Sequence, residues 1–181
     1  MGTSIRMIHP TNKSLKVDTL ESNQYDRLNI RIFRHDDLPL LQEMIIRCHK
    51  HSHFFREPRF QLEESKKLFA GWMEKCAKGL AERIYIAEDN NKLLGFCSLL
   101  SNKSLLNFIN KKIGIIDFIV VDESAQGRGV GKSLLNTAFS FFQEFDFIEL
   151  RTMADNIGAI RFYQKNGFFI LSADEYYHFW T

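Results

Sequence analysis

The chain has little net charge, few cysteines and no long apolar run, and each shortage removes a class of function. Its 24 basic and 22 acidic residues nearly cancel over 181 positions, so no extended nucleic-acid surface is expected. The three cysteines, Cys48, Cys76 and Cys97, are odd in number and far apart. They offer neither a disulfide framework nor zinc-ligand spacing, which suits a reducing cytosol. His49, His51 and His53 alternate, and alternate residues on a helix point apart, so no metal site is expected there. No apolar segment approaches the roughly 20 residues of a membrane span, and the N-terminus lacks a signal-peptide core. A cytoplasmic protein without membrane contact is the expectation. What is abundant is phenylalanine, at 17 residues, which promises an aromatic-rich core in a chain of one-domain size.

Residues 1–28 are polar and aperiodic and read as an N-terminal extension, partly ordered at best, ahead of a domain over 29–181. Leu28–Phe33 alternates as a strand. His35-Asp36-Asp37 and Pro39 then open a helix whose apolar face is Leu38, Leu41, Met44, Ile45 and Cys48. Gln61–Lys78 is a second helix, with Leu62, Leu68, Phe69, Trp72, Met73 and Cys76 turned inward and a stop at Gly79. Arg83–Glu88 and Lys92–Leu100 flank the turn Asp89-Asn90-Asn91 as a hairpin. Leu105–Lys112 carries no assignable pattern. Ile115–Val121 is a dense apolar strand, followed by an amphipathic helix with Leu134, Leu135, Ala138, Phe139 and Phe142 on one face. Ile148–Met153 is a strand and Asn156–Asn166 a helix, and Phe168–Leu171 and Tyr176–Trp180 are two closing strands. The succession implies an α/β domain, a mixed, partly antiparallel sheet of about seven strands with helices on both faces.

The chemistry concentrates after the dense strand, at Gln126-Gly127-Arg128-Gly129-Val130-Gly131-Lys132-Ser133. Glycines on alternate positions leave backbone N–H groups uncovered, so an anion can come close. The start of the next helix adds unpaired donors and the positive end of its dipole, and Arg128 and Lys132 add full charge. Together they make a phosphate cradle. A P-loop would need glycine where Gln126 stands, and the dinucleotide fingerprint would need it where Lys132 stands, so both fail. The spacing that does fit, Gln126-x-x-Gly129-x-Gly131 between strand and helix, resembles the acetyl-CoA pyrophosphate loop of the GNAT N-acetyltransferases. A second segment, Asn156-x-x-Ala159-x-x-x-Tyr163-x-x-x-Gly167-Phe168, is similar to that family's N-x-x-A-x-x-x-Y-x-x-x-G-F at every lettered position.

The resemblance covers residues 29–180 and implies a sheet splayed after the central strand, with the pantetheine arm of acetyl-CoA in the gap. Backbone groups of Ile119 and Val121 would hydrogen-bond that arm, Asn156 would contact it from the other side, and Gln126 to Lys132 would hold the pyrophosphate. Tyr163 would lie near the thioester sulfur as the general acid for the departing thiolate. The implied reaction is direct attack by a deprotonated primary amine, with the oxyanion held by the N–H of Val121 or its neighbour. Asp117, an acid within an apolar strand, needs a partner or a task. It is either a base acting through water or a structural hydrogen-bonding residue. His53-Phe54-Phe55, Pro58-Arg59-Phe60, Leu68-Phe69-x-x-Trp72, Cys76-x-x-Gly79 and the ending Tyr176-Tyr177-His178-Phe179-Trp180 are similar to the sugar side of TDP-fucosamine acetyltransferase and its relatives. That narrower likeness implies a nucleotide-linked amino sugar as acceptor, with Phe54, Phe55 and Trp72 lining its pocket. A protein N-terminus, a polyamine or an aminoacyl group is the alternative acceptor, and a CoA-binding module without catalysis is a third reading. The expected partners are acetyl-CoA as cosubstrate, a small-molecule amine and a second copy of the chain as a homodimer, with no metal.

Overall fold

The computed structural model describes residues 2–11, 28–49, 52–102 and 110–177. Residues 12–27 of the expected extension, His51, most of the Leu105–Lys112 connection and the last part of Tyr176–Trp180 lie outside them. In chain order the elements are β1 (Gly2–Pro10), β2 (Asn29–Ile32), α1 (Leu38–Cys48), α2 (His53–Arg56), α3 (Leu62–Lys75), β3 (Arg83–Asp89), β4 (Lys92–Ser101), β5 (Ile113–Val121), α4 (Val130–Phe141), β6 (Phe147–Met153), α5 (Ile157–Lys165) and β7 (Phe169–Tyr176). The strands form one sheet in the order β2-β3-β4-β5-β6-β1-β7. Among the described residues only β5 and β6 run parallel. This mixed sheet, flanked by helices, is the fold class read from the sequence.

Side-chain alternation divides the core between the two faces of the sheet. Met7, Cys97, Leu99 and Ile116 pack against Leu134, Leu135 and Ala138 of α4 and Tyr163 of α5. Ile86, Phe96, Phe118 and Val120 pack on the other face against Leu41 and Ile45 of α1 and Phe69 and Met73 of α3, whereas Leu62 and Leu68, expected on the inner face of that helix, are exposed. A strand covered on both faces needs apolar residues at consecutive positions, and that is why β5 reads as a dense apolar run. The hairpin between β3 and β4 turns through Asn90 and Asn91 at φ 48° and 63°, a left-handed pair that asparagine tolerates. After α3, a wide turn over Cys76–Leu80 carries Gly79 at φ 109°, where a side chain would be strained.

Two parts of the sequence reading are corrected. Gly2–Pro10, expected in an extension outside the domain, is an interior strand, with Ser4 opposite Met153 of β6 and Asp174 of β7. Only Ile5 and Met7 of this strand enter the core. Its hydrogen bonds on two edges are invisible in sequence, and two alternating apolar residues do not stand out as a pattern. The strand expected over Phe168–Leu171 runs from Phe169 through to Tyr176, its register against β1 shifting between Arg6 and Met7, and residues 178–180 of the second expected strand lie outside the described residues.

The site is opened by the central pair. β5 and β6 are bonded only from Ile113 and Phe147 to Ile116 and Leu150. Beyond that point β5 runs on to Val121 and β6 to Met153 without pairing, so the sheet splays. The divergence has a local cause. Ser98 of β4 faces Phe118 while Leu99 faces Ile116, leaving Asp117 as an extra residue in a bulge. A bulge bends and twists its strand, and this one falls where the parallel pairing stops.

Candidate active site

The splay forms a cleft of about 1060 Å³ that passes from one face of the sheet to the other. Ile119, Val121, Gln126, Gly127, Gly129, Gly131 and Lys132 line it from β5 and the loop beyond, and Asn156 and Tyr163 line it from α5. Asp117, Phe54 and Trp72 line it on the α1–α3 face. Three candidates are placed differently. The Val130 side chain is buried in the core, so only its backbone is available to a ligand. Arg128 is exposed outside the cleft wall, with Nη1 3.3 Å from the Ser124 carbonyl. Phe55 stacks on Phe69 with ring centroids 5.2 Å apart and belongs to the core rather than the acceptor wall. Consecutive residues on a helix lie about 100° apart, so Phe54 and Phe55 do not face the same space.

The loop has the geometry of an anion cradle. Gly127 and Gly129 sit at φ 73° and 87°, and a Cβ added at either would meet nothing within 4 Å. The turn itself demands glycine there, and the space in front of it is open. Gly129 caps α4 with no side chain bonded to the first turn, so the first-turn N–H groups are left for an outside acceptor. Lys132 lies on the cleft wall, with Nζ bonded to the Asn166 side chain. Uncovered amides, open room and one cation fit a diphosphate.

Along an extended strand, successive residues turn their N–H and C=O to opposite edges. The Asp122 N–H donates to the Leu94 carbonyl at 2.8 Å, which turns Asp122 and Val120 toward β4. Ile119 and Val121 therefore present their backbone groups to the gap. The Val121 carbonyl is met there by Gln126 Nε2 at 3.4 Å and by the Cys48 thiol at 3.9 Å.

Asp117 has both a bonding role and an unusual acidity. Its Oδ2 accepts from Trp72 Nε1 at 3.1 Å, and from Cys76 Sγ and Ser98 Oγ at 3.5 Å each. Burial nevertheless pushes its carboxyl up to about 6. Tyr163 is wedged between Phe162 and Phe168, at centroid distances of 5.3 and 5.7 Å, and burial pushes its phenol well above the ordinary value. Cys97, in the same cluster, is pushed up to about 12 for the same reason. Asn156 caps α5, its Oδ1 accepting from the Ala159 N–H at 3.2 Å.

Two features of the cleft escape the sequence. One is a polar bank on β1, β6 and β7, where Arg151 reaches Asp174 at 3.2 Å, Tyr176 Oη at 3.4 Å and Glu149 at 3.8 Å. His53 stacks on Tyr176 at 5.0 Å, and Arg56 pairs with Asp155, so α2 bridges the two halves of the sheet. The other is His49, which lines the cleft just past the end of α1. Its i, i+4 spacing from the core residue Ile45 was the available signal. Among the described residues no cluster of His, Cys, Asp and Glu is placed to hold a metal ion, and no helix is long and apolar enough to cross a membrane.

Residues 42–168 match the Acetyltransferase (GNAT) family. A protein described as an uncharacterized N-acetyltransferase of Methanocaldococcus jannaschii is 32% identical over 106 residues, which cover 57% of this chain and 46% of that protein. The spore coat polysaccharide biosynthesis protein SpsD of Bacillus subtilis is 24% identical over 131 residues, covering 71% of this chain and 43% of the relative. The chain thus spans less than half the length of both curated relatives. A solved protein from Pyrococcus horikoshii OT3 shares the fold with a TM-score of 0.63 at 23% identity, over 77% of this chain and 87% of that one. With a family match over most of its length and a splayed sheet that carries the family's loop, the chain belongs to the GNAT acetyltransferase family.

Proposed function

We propose that the protein transfers the acetyl group of acetyl-CoA to a primary amine, that of a nucleotide-linked amino sugar. The observation that carries this reading is the cleft through the sheet, with an anion cradle at one rim and a half-buried carboxylate of raised pKa on the opposite face. Acetyl-CoA, when bound, supplies a thioester carbonyl open to attack. The uncovered amides of the cradle and Lys132 hold its diphosphate. The edge of β5 at Ile119 and Val121 receives the pantetheine amides as another strand would. The Val121 N–H, fixed by the sheet, donates to the carbonyl oxygen where negative charge grows and needs no rearrangement to do so.

Asp117 takes a proton from the substrate ammonium, directly or through water. The new C–N bond then forms and the C–S bond breaks, the Tyr163 hydroxyl gives its hydrogen to the departing sulfur, and the second proton shed by the amine nitrogen restores the phenol, leaving an amide and a free thiol. A phenol raised by burial is a poor acid toward a thiolate in water. Burial raises thiols as well, as at the neighbouring Cys97, so a thiolate released beside Tyr163 is made more basic by the same dry surroundings.

Contrast between the walls supports the acceptor class. Phe54, Phe69 and Trp72 form an aromatic side, and Ser4, Glu149, Arg151 and Tyr176 form a polar one. A saturated sugar ring, with a C–H face and hydroxyl edges, is amphipathic in the same way. The polysaccharide role named for the Bacillus subtilis relative supports the same class. The test is thiol release from acetyl-CoA with three amines: a TDP-linked 4-amino sugar, spermidine and a short peptide. The sugar should have the highest kcat/KM. Faster turnover of spermidine or the peptide overturns the acceptor, and no thiol release with any of them overturns the transfer.

A further inference from the structure

The proposed transfer gives no task to Nε2 of His49, a residue that lines the cleft. The residue follows the last turn of α1, and its ring is held on two sides, tilted on Phe69 at 5.1 Å and edge-on to Phe118 at 5.2 Å. Nδ1 lies 3.1 Å from the Ile45 carbonyl. A carbonyl oxygen only accepts, so Nδ1 carries the hydrogen and Nε2 carries the lone pair. Among the described residues nothing in the protein bonds Nε2, and it is not among the polar atoms sealed from solvent without a partner. The ring lines the cleft, so this lone pair opens into it. Burial also holds the imidazole neutral, pushed down to about 4, so it stays an acceptor at neutral pH.

The surroundings connect His49 to the reacting amine. Phe118 also meets the Trp72 ring, at 5.3 Å, and Trp72 holds Asp117 through Nε1. A carboxylate that takes a proton and a fixed lone pair thus border the same aromatic floor. Once an ammonium has lost one proton, it has two N–H bonds and a lone pair, and rotation about its C–N bond points that lone pair in any of three directions. One fixed acceptor for one N–H selects the orientation, which is the entropic part of catalysis.

We propose that His49 binds the acceptor, its Nε2 accepting an N–H of the substrate amine and turning the amine lone pair toward the thioester. This rests on the acetyl-transfer reading. His49→Phe keeps a ring between Phe69 and Phe118 and removes the lone pair, and His49→Gln keeps an acceptor near the position of Nε2. Both variants are assayed with acetyl-CoA and whichever of the TDP-linked 4-amino sugar, spermidine and the short peptide the wild type acetylates. His49→Phe should lower kcat/KM for the amine roughly 10- to 100-fold, with the KM for acetyl-CoA and the melting temperature unchanged. His49→Gln should recover most of that loss. Wild-type kcat/KM in a folded His49→Phe protein, or a loss that falls equally on acetyl-CoA, overturns the proposal. If the wild type acetylates none of the three amines, the transfer reading fails and ¹⁵N NMR decides the role of His49. In the presence of CoA, an Nδ1–H tautomer whose Nε2 resonance moves on adding the TDP-linked amino sugar supports it. An Nε2–H tautomer, or a resonance that does not move, overturns it.

Discussion

Asp117 shows how a single residue ties the chemistry to the stability of the fold. Its carboxyl stands near 6 in the folded protein against an ordinary 3.8, and burial is the main cause. A folded-state value raised in this way means that its contribution is most favourable below about pH 4 and is lost as pH rises through 6. Two units correspond to a cost on the order of 3 kcal/mol at neutral pH, as an upper bound. Asp117→Asn should therefore gain stability over wild type at pH 8 and lose that advantage at pH 4, while acetyl transfer falls. Urea unfolding at both pH values checks it, and an equal difference at each would show that the carboxylate is not perturbed. Tyr163→Phe is the complementary case. The ring contacts to Phe162 and Phe168 survive, so the fold and acetyl-CoA affinity should hold while kcat drops roughly 10²- to 10⁴-fold. An unchanged kcat with chemistry rate-limiting removes the general acid. Tyr163 was legible in sequence because its pattern is local to one helix. The bulge at Asp117 was not, since it exists only in the pairing of β5 with β4. Phe55 and His49 depended on which way one turn of helix faces, and sequence alone leaves that open.

At the scale of elements, the loop and α4 act as one unit. The positive φ of Gly129 and the open space before it mean that a β-branched residue strains the turn and fills the ligand's approach together. Gly129→Val should raise the Kd for CoA by at least about tenfold, the equivalent of a lost charge-assisted hydrogen bond. Calorimetry on the folded variant checks it, and wild-type affinity would separate the glycines from phosphate binding. Helices α1 and α3 and the β3–β4 hairpin were readable because period and turn residues agree, as at Gly79, Asn90 and Asn91. The polar bank was not, because Ser4, Arg151 and Tyr176 come together only through pairing across β1, β6 and β7.

For the whole molecule, the decisive piece is β1, which joins β6 to β7. Deleting residues 2–11 would be harmless if they were an extension. Here it should unfold the domain or leave two unpaired edges, and circular dichroism with thermal melting distinguishes the outcomes. A soluble truncated protein with wild-type melting would show that the strand is dispensable. The same arrangement sets a timetable for synthesis. Ser4 must wait for Met153 and Asp174, made most of a chain later, and at about 5–20 residues per second that wait is roughly seven to thirty-five seconds. Throughout it Ile5 and Met7 have no sheet to enter, and the slot between β6 and β7, once made, is open to any strand of matching pattern. A synthetic peptide of residues 2–10 should therefore restore folding to the truncated chain in trans, and two full chains refolded at high concentration should exchange this strand.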